Sequence, residues 1–260
     1  MHSKRLVVAF IFLPLFYLYI MYLPPIFFFF LLLAVSFVAL SEFCAMYRLD
    51  VPMKYACLLS GSAILSVSFF AAEYFSDAVM VAAMAIMVLR LLLKKDPSSS
   101  LSDLAPPVIG LIYIPGLLTF QGQLRHIGPE WILFLYATVW ASDSLAYYIG
   151  KGIGKRRLYR EVSPNKTVAG AGGSVIGGIA GALVLRILIV PQLHVVPAIF
   201  IGIMVGIISI LGDLVESMFK RDAGVKDSGT IIPGHGGILD KIDGSLFAGP
   251  FLYWIVKGFA

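Results

Sequence analysis

Two aspartates, Asp240 and Asp243, stand three positions apart where the last apolar segment of the chain begins. On a helix, this spacing projects both carboxylates from nearly the same face, so their charges repel each other. A divalent cation relieves that repulsion, and Mg²⁺ prefers carboxylate, water and phosphate oxygens as ligands. Because the sequence offers no set of His and Cys ligands that would suit zinc, the pair predicts a magnesium site. The alternative is that both acids only complement a helix dipole.

Three more acidic residues lie late in otherwise apolar segments. Asp143 stands in WASDSLAYYIG, and Asp213 and Glu216 stand in ILGDLVESMF. An ionisable side chain at such depth in a membrane costs several kcal/mol unless it is paired or solvated. These acids are therefore functional candidates, with a structural ion pair to a nearby Lys or Arg as the alternative for Asp213.

Cations and glycines crowd around the paired aspartates. The segment KRDAGVKDSGTIIPGHGGILDKIDG, residues 220–244, holds a group of glycines just before a predicted helix and several basic side chains: Gly234, Gly236, Gly237, Lys220, Arg221, Lys226, His235 and Lys241. Glycines let backbone amides approach an anion, and a helix N-terminus carries partial positive charge. The alternation of carboxylates and cations therefore indicates that this segment binds a metal-bound polyphosphate. For His235, the roles of proton shuttle, phosphate donor and fixed turn residue all fit the sequence.

The segment GKRRLYREVSPNKTVAG is a second candidate anion site. Ser163 and Pro164 suit the N-cap and the first turn of a helix, which places Lys166 at the cytoplasmic mouth of that helix. The alternative is that Lys166 is a plain anchor at the membrane interface.

The elements that must position these residues are membrane helices. Of 260 residues, 59% are hydrophobic and only 13% are charged, and a spanning helix needs roughly 20 mostly apolar residues. Apolar runs of that length recur along the chain and predict an all-α, polytopic membrane protein. It would form a single membrane domain, residues 1–260, with N-terminal helices in 1–125 and catalytic helices with cytoplasmic loops in 126–260. About nine transmembrane helices are expected, over residues 6–23, 25–47, 54–73, 77–93, 105–121, 130–150, 167–190, 195–219 and 238–258, with a polar linker over 94–103.

The distribution of basic residues predicts the orientation. If the N-terminus is cytoplasmic, every Lys and Arg except Arg125, Arg186 and Lys257 falls on the cytoplasmic side, as the positive-inside rule requires. The net charge of +5 suits anionic lipid headgroups, and the sequence has no nucleic-acid-binding module. Cys44 and Cys57 show neither a disulfide framework nor metal-ligand spacing.

Residues 217–244, SMFKRDAGVKDSGTIIPGHGGILDKIDG, resemble the signature of the phosphatidate cytidylyltransferase family, also called CDP-diacylglycerol synthases. That signature has Ser-x-apolar-Lys-Arg, then Lys-Asp, a Pro-x-His-Gly-Gly turn and a paired-Asp ending. The segments DSLAYYIGKGIGK, SPNKT and GDLVES are similar to further family segments. Two positions depart from the pattern, since Lys241 stands where the family usually has Arg and Ala169 stands where it usually has an acidic residue.

The resemblance implies a multi-pass enzyme of the cell membrane that condenses CTP with phosphatidic acid, giving CDP-diacylglycerol and pyrophosphate in phospholipid biosynthesis. It implies a homodimer, an active site that faces the cytoplasm, and Mg²⁺ as cofactor, with a second monovalent or divalent cation as an option. The implied catalytic residues are Asp213, Asp240, Asp243 and Lys226, and the implied metal ligands are Asp143, Asp213, Asp240 and Asp243. The implied substrate-binding residues are Ser163, Lys166, Lys220, Arg221, His235, Gly236, Gly237 and Lys241.

Two other functions stay open at this stage. A CTP-dependent polyprenol or phytol kinase shares the membrane topology and a related C-terminal region, although the full Lys-Asp to His-Gly-Gly signature argues against it. A non-enzymatic ion transporter would use the intramembrane acids as a relay, but it leaves the cluster of glycines and lysines unexplained.

Overall fold

The computed structural model describes residues 13–231 and 236–259. Its helices, with α1 given from the first described residue, are α1 (Leu13–Tyr22), α2 (Pro25–Met46), α3 (Val51–Phe70), α4 (Phe75–Leu93), α5 (Ser100–Leu111), α6 (Leu117–Ile127), α7 (Pro129–Ile153), α8 (Val168–Leu188), α9 (Val195–Asp222) and α10 (Leu239–Phe259). A 3₁₀ turn, Ala72–Tyr74, precedes α4, and a π-helical segment, Ile112–Gly116, joins α5 to α6.

The described residues confirm the all-α, polytopic membrane class. Seven helical stretches among them are long and apolar enough to cross a membrane, with α5, the π-helical segment and α6 forming one of the seven. The total of nine spanning helices, the cytoplasmic N-terminus and the division of the chain near residue 125 stay predictions.

The fifth predicted helix, over 105–121, was placed too late and ended too early. The structure has one continuous helical stretch from Ser100 to Ile127, so the polar linker between helices covers only 94–99. The sequence favours a later start because Pro106 and Pro107 resemble a first-turn signal. The structure accommodates both prolines inside the helix, as transmembrane helices often do.

A short antiparallel hairpin, not a helix start, holds Ser163. Strand β1, Arg157–Tyr159, pairs with strand β2, Ser163–Thr167. The predicted N-cap at Ser163 is therefore wrong, since a residue before proline is pushed toward extended backbone. Thr167 is the N-cap of α8 instead, because its Oγ1 accepts a hydrogen bond of 3.0 Å from the amide of Gly170.

Helix α8 packs tightly between α7 and α9 because of its small residues. Most of the glycines in VAGAGGSVIGGIAG are buried, and a side chain on them would collide with the backbone of a neighbouring helix. Serines hydrogen-bond across these close contacts: Ser142 of α7 donates to the carbonyl of Ser174 at 2.9 Å, and Ser174 donates to the carbonyl of Gly206 of α9 at 2.9 Å. Small residues and interhelical hydrogen bonds are the usual means of helix association in a membrane.

Helices α9 and α10 cross where Gly212 faces Gly244. A Cβ atom on Gly212 would lie 2.5 Å from the carbonyl oxygen of Asp243 and 3.3 Å from the Cα of Gly244. The two backbones are thus nearly in contact at this level. The next residue on α9 is Asp213, so the crossing brings Asp213 and Asp243 to the same end of the bundle.

The N-terminal half of the chain reaches this crossing through α2 and the π-helical segment. The ring of Phe43 on α2 packs edge-on against Phe219 of α9, with centroids 5.5 Å apart. Tyr113 of the π-helical segment packs against Phe219 at 5.3 Å and Phe247 of α10 at 6.2 Å. The Tyr47 hydroxyl donates a 2.9 Å hydrogen bond to Asp222 at the end of α9.

We expect Gly212→Ala to destabilise the protein. The added methyl group meets the backbone of α10, and overpacking of this kind costs about 1–3 kcal/mol of unfolding free energy. Thermal melting of the detergent-purified protein measures the loss. Gly172→Ala on α8 is the control, because its Cβ would meet nothing within 4 Å. Equal melting temperatures for the two variants would contradict the close crossing of α9 and α10.

Candidate active site

Three carboxylates meet at the crossing of α9 and α10. One oxygen each of Asp213, Glu216 and Asp243 lies within 4.8 Å of the other two. Asp213 and Glu216 share a face of α9 because they stand at positions i and i+3, and Asp243 approaches from α10. Two predicted metal ligands, Asp213 and Asp243, are therefore brought together, with Glu216 as the third member of this group.

Asp240 is not a member of this group of three, but Lys220 joins it to Glu216. The Lys220 ammonium donates to Glu216 Oε2 and to Asp240 Oδ1, each at 2.6 Å. The second oxygen of Asp240 accepts from the Ser228 amide at 3.0 Å, the Ser228 hydroxyl at 2.8 Å and the Gly237 amide at 2.7 Å. Protein donors thus engage both oxygens of Asp240, and its role as a metal ligand stays a prediction.

Lys166 and Asp143 lie at the solvent side of the carboxylates. Lys166 Nζ of β2 forms an ion pair of 2.5 Å with Asp213 Oδ2. Asp143 of α7 is exposed and interacts electrostatically with Asp213 and Lys166. Exposure falls steeply across the site, since the side chain of Asp213 is 40% exposed and that of Glu216 only 1%. The site is therefore open on the Asp213 side and closed behind Glu216.

The carboxylate group has the chemistry of a magnesium site. Glu216 Oε1 is buried and has no hydrogen-bond partner among the described residues, and the same holds for the hydroxyl of Tyr113. Tyr113 lies within electrostatic range of Glu216, Asp213 and Asp243. An uncompensated buried carboxylate oxygen is costly, and a hard divalent cation bound by oxygen ligands removes that cost. The residues present therefore fit Mg²⁺.

The remaining predicted residues differ in whether other groups of the protein already hold their side chains. Arg221 is held structurally, because its Nε donates to the Val162 carbonyl at 3.2 Å and its Nη1 donates to the Val225 carbonyl at 3.0 Å. Lys226 and Lys241 are exposed, and Ser163 is half-buried at the start of β2. Their substrate-binding or catalytic roles stay predictions.

The glycine-rich turn before α10 is only partly described. Gly236 has a φ of +85°, and a Cβ atom there would lie 2.5 Å from Asp240 Oδ2, so only glycine suits this position. Gly237 is buried and donates its amide to Asp240. His235 and Gly234 lie outside the described residues.

Sequence reasoning missed Glu42, Ser228 and Tyr113 as parts of the site. Glu42 of α2 is 5% exposed and accepts hydrogen bonds from residues that precede and begin α10. An acidic residue inside an apolar segment was the available signal, the same signal that indicated Asp143 and Asp213. For Tyr113, the available signal was the nearby Pro115, because a proline interrupts the regular helix. Pro115 lies inside the π-helical segment. Such segments often occur at functional sites.

Comparison of the sequence with known proteins identifies the family of the chain. The sequence model of the cytidylyltransferase family matches residues 3–259. The chain belongs to the cytidylyltransferase family. This finding confirms the resemblance read from residues 217–244.

Several relatives of this family member carry the name phosphatidate cytidylyltransferase. The chain is 33% identical to the one from Bacillus subtilis over 240 residues, which are 88% of each chain. It is 48% identical to one from a Synechocystis species over 128 residues, which are 48% of this chain and 42% of the relative. It is 41% identical to one from Haemophilus influenzae over 158 residues, which are 58% of this chain and 53% of the relative.

We expect Asp243→Asn and Glu216→Gln to weaken Mg²⁺ binding in this cytidylyltransferase. Each change removes charge without changing size, and the loss should be at least roughly tenfold, as for even an indirect partner of a metal. Calorimetric titration of the purified protein with Mg²⁺ measures it. The control is Asp77→Asn, at an exposed position in the first turn of α4. Unchanged affinity in both site variants would exclude the group as a metal site.

The variant Asp240→Asn separates two roles of Asp240. If its carboxylate mainly holds Lys220 and the turn before α10, we expect a smaller loss of Mg²⁺ affinity than for Asp243→Asn. An equal loss in the same titration would instead support direct ligation by Asp240.

Proposed function

We propose that this protein condenses CTP with phosphatidic acid, giving CDP-diacylglycerol and pyrophosphate in phospholipid biosynthesis. The observation that carries this proposal is the group of three carboxylates within 4.8 Å, open beside Lys166, at the crossing of α10 with α9, a helix long and apolar enough to span a membrane. A site that belongs to a membrane helix and is also open to solvent can receive both a lipid headgroup and a water-soluble nucleotide. The name shared by the relatives in Bacillus subtilis and Haemophilus influenzae supports the same reaction.

The reaction makes one bond and breaks one bond. A phosphate oxygen of phosphatidic acid bonds to the α-phosphorus of CTP, and the bond from that phosphorus to the oxygen that leads to the β-phosphate breaks. Pyrophosphate leaves with the electron pair of the broken bond. The attacking phosphate is already ionised near neutral pH, so no strong general base is required. Transfer of this kind mainly needs positioning and neutralisation of charge.

The residues of the site can be assigned to these tasks. Asp213, Glu216 and Asp243 would hold Mg²⁺, which when bound neutralises phosphate charge and orients the triphosphate. Asp143 would be a further ligand or would hold a water bound to the metal, and a second cation stays a proposal. Lys166 would bind a phosphate group at the open side. Lys226 in the loop after α9 and Lys241 on α10 are exposed and would add further positive charge, as would Arg221 near the end of α9.

An apolar groove between α8 and α9 suits the acyl chains of the lipid. It has a volume of about 610 Å³, and its lining includes Tyr159, Val168, Leu211 and Leu214. The last two residues flank Asp213 in sequence. A lipid in this groove would present its headgroup toward the hairpin and the carboxylates.

The location of the site follows from the distribution of charge. The relatives are bacterial, and seven described helical stretches are long and apolar enough to cross a membrane, which supports a location in the cell membrane. We infer that the site faces the cytoplasm, because the basic loops cluster at its end of the bundle and cytoplasmic loops carry the excess of Lys and Arg. A homodimer stays a proposal that rests on the family resemblance.

We expect the purified protein, given Mg²⁺ and phosphatidic acid, to transfer label from α-³²P-CTP to lipid and to release pyrophosphate. Label from γ-³²P-CTP should appear only in pyrophosphate. Transfer of the γ-label to a polyprenol or phytol would instead identify a CTP-dependent kinase. Ion flux in proteoliposomes without consumption of CTP would identify a transporter.

The variant Asp243→Ala should lose Mg²⁺-dependent transfer while the protein still inserts into the membrane. Loss of metal-derived charge stabilisation removes several kcal/mol, which corresponds to about a hundredfold or more in rate. Asp77→Ala is the control for a general effect of removing an acid. Near-normal transfer by Asp243→Ala would reject its metal role.

A further inference from the structure

A buried acid in the N-terminal half of the chain, Glu42, belongs to the architecture of the site. It lies on α2, is 5% exposed, and has no Lys or Arg within ion-pair distance among residues 13–231 and 236–259. Its described partners are neutral donors. The Ile238 amide donates to Oε1 at 3.0 Å, the Leu239 amide to Oε2 at 3.0 Å, and the Ser228 hydroxyl to Oε2 at 3.2 Å.

Glu42 caps the start of α10 from a distant part of the sequence. The first amides of a helix lack partners within the helix, and the helix dipole favours a negative charge beside them. The amides of Ile238 and Leu239 lie at this end of α10, and 196 positions separate Ile238 from Glu42 in the chain. A residue of the N-terminal half thereby fixes the position of a helix that carries site carboxylates.

Two glycines leave space for this carboxylate. A Cβ atom on Gly229 would lie 2.6 Å from Glu42 Oε1, and its nearest neighbours would all be Glu42 atoms. A Cβ atom on Gly237 would collide with Glu42 Oε2 and with the Ser228 hydroxyl. The backbone on both sides of residues 232–235 therefore lies directly against Glu42, which explains why glycine occupies these two positions.

A continuous series of hydrogen bonds runs from Glu42 to the carboxylate group. The Ser228 hydroxyl lies 3.2 Å from Glu42 Oε2 and 2.8 Å from Asp240 Oδ2, and because it has a single proton to donate, the two carboxylates share that proton. Asp240 accepts from Lys220, and Lys220 donates to Glu216. A shift of Glu42 would thus be transmitted to Asp240 and Glu216 through side chains that are in direct contact.

We propose that Glu42 is a positioning residue for the transfer reaction: its carboxylate fixes residues 228–229 and 237–239 so that Asp240 and Asp243 stand in register with the acids of α9. This role rests on the proposed function. Glu42 does not touch the three-carboxylate group, so it acts on metal and nucleotide through α10 and Ser228. The lipid groove on α8 and α9 has no contact with it.

The test is Glu42→Gln in the full-length protein, assayed for transfer of α-³²P-CTP label to phosphatidic acid. The amide keeps the size of the side chain but offers one acceptor oxygen where the carboxylate offers two. We expect kcat to fall at least tenfold and the Mg²⁺ concentration for half-maximal rate to rise severalfold. The KM for phosphatidic acid should stay within twofold of wild type. Glu73→Gln, at an exposed position, is the control.

A second experiment tests the contact between Gly229 and the Glu42 carboxylate. Gly229→Ala alone should impair transfer, because its methyl group meets the Glu42 carboxylate. In a Glu42→Ala background, Gly229→Ala should cost little more, since the clashing group is gone. Additive losses in this cycle would overturn the proposal, and so would wild-type kcat and Mg²⁺ dependence in either Glu42→Gln or Gly229→Ala.

Two further measurements distinguish positioning from a purely structural role and from failure of the proposed reaction. A lower melting temperature of Glu42→Gln, with unchanged Mg²⁺ dependence and kcat per folded molecule, would show a merely structural role and overturn the proposal. If the wild type transfers no α-label, the proposed reaction fails, and calorimetric titration with Mn²⁺ then tests Glu42 separately. A several-fold weaker Mn²⁺ affinity in Glu42→Gln would support positioning, and an unchanged affinity would contradict it.

Discussion

Repulsion among the carboxylates at the crossing of α9 and α10 is the constraint on which the site depends. Asp213, Glu216 and Asp243 lie within 4.8 Å of one another, where like charges in a poorly solvated region raise each other's energy. The group is held together by the close backbone contact of Gly212 with α10, not by attraction among its members. Lys166 and Lys220 compensate part of the charge, and a bound cation would compensate the rest.

The N-terminal helices supply the rigidity that this arrangement needs. The rings of Phe43 and Tyr113 pack against Phe219 beneath the carboxylates, and Glu42 holds the start of α10. Contacts of high sequence separation therefore fix a site whose charged residues nearly all belong to the C-terminal half. This explains how a motif concentrated in residues 217–244 still requires the rest of the bundle.

Sequence reasoning recovered the parts of this protein that depend on local pattern. Long apolar runs gave the membrane class, and an acid inside such a run indicated Asp213. The i, i+3 spacing of Asp240 and Asp243 suggested one shared ion, yet Asp240 is drawn to Lys220 and Ser228 at the first turn of α10. The capping role of Glu42 could not be predicted, because nothing in the spacing of the chain links it to residues 196 positions later.

The acids of this site differ in how many hydrogen-bond donors surround them. This difference affects how much each acid would gain from a bound cation. Glu42 and Asp240 accept several hydrogen bonds from backbone amides and Ser228, so the protein itself stabilises their charge. Glu216 keeps one buried oxygen without a partner among the described residues. Leaving such an atom unsatisfied is costly in a folded protein. An acid whose charge the protein already stabilises gains little from a cation, whereas a buried carboxylate oxygen without a partner gains much. This difference favours Glu216 and its two neighbours, rather than Asp240, as the proposed metal ligands.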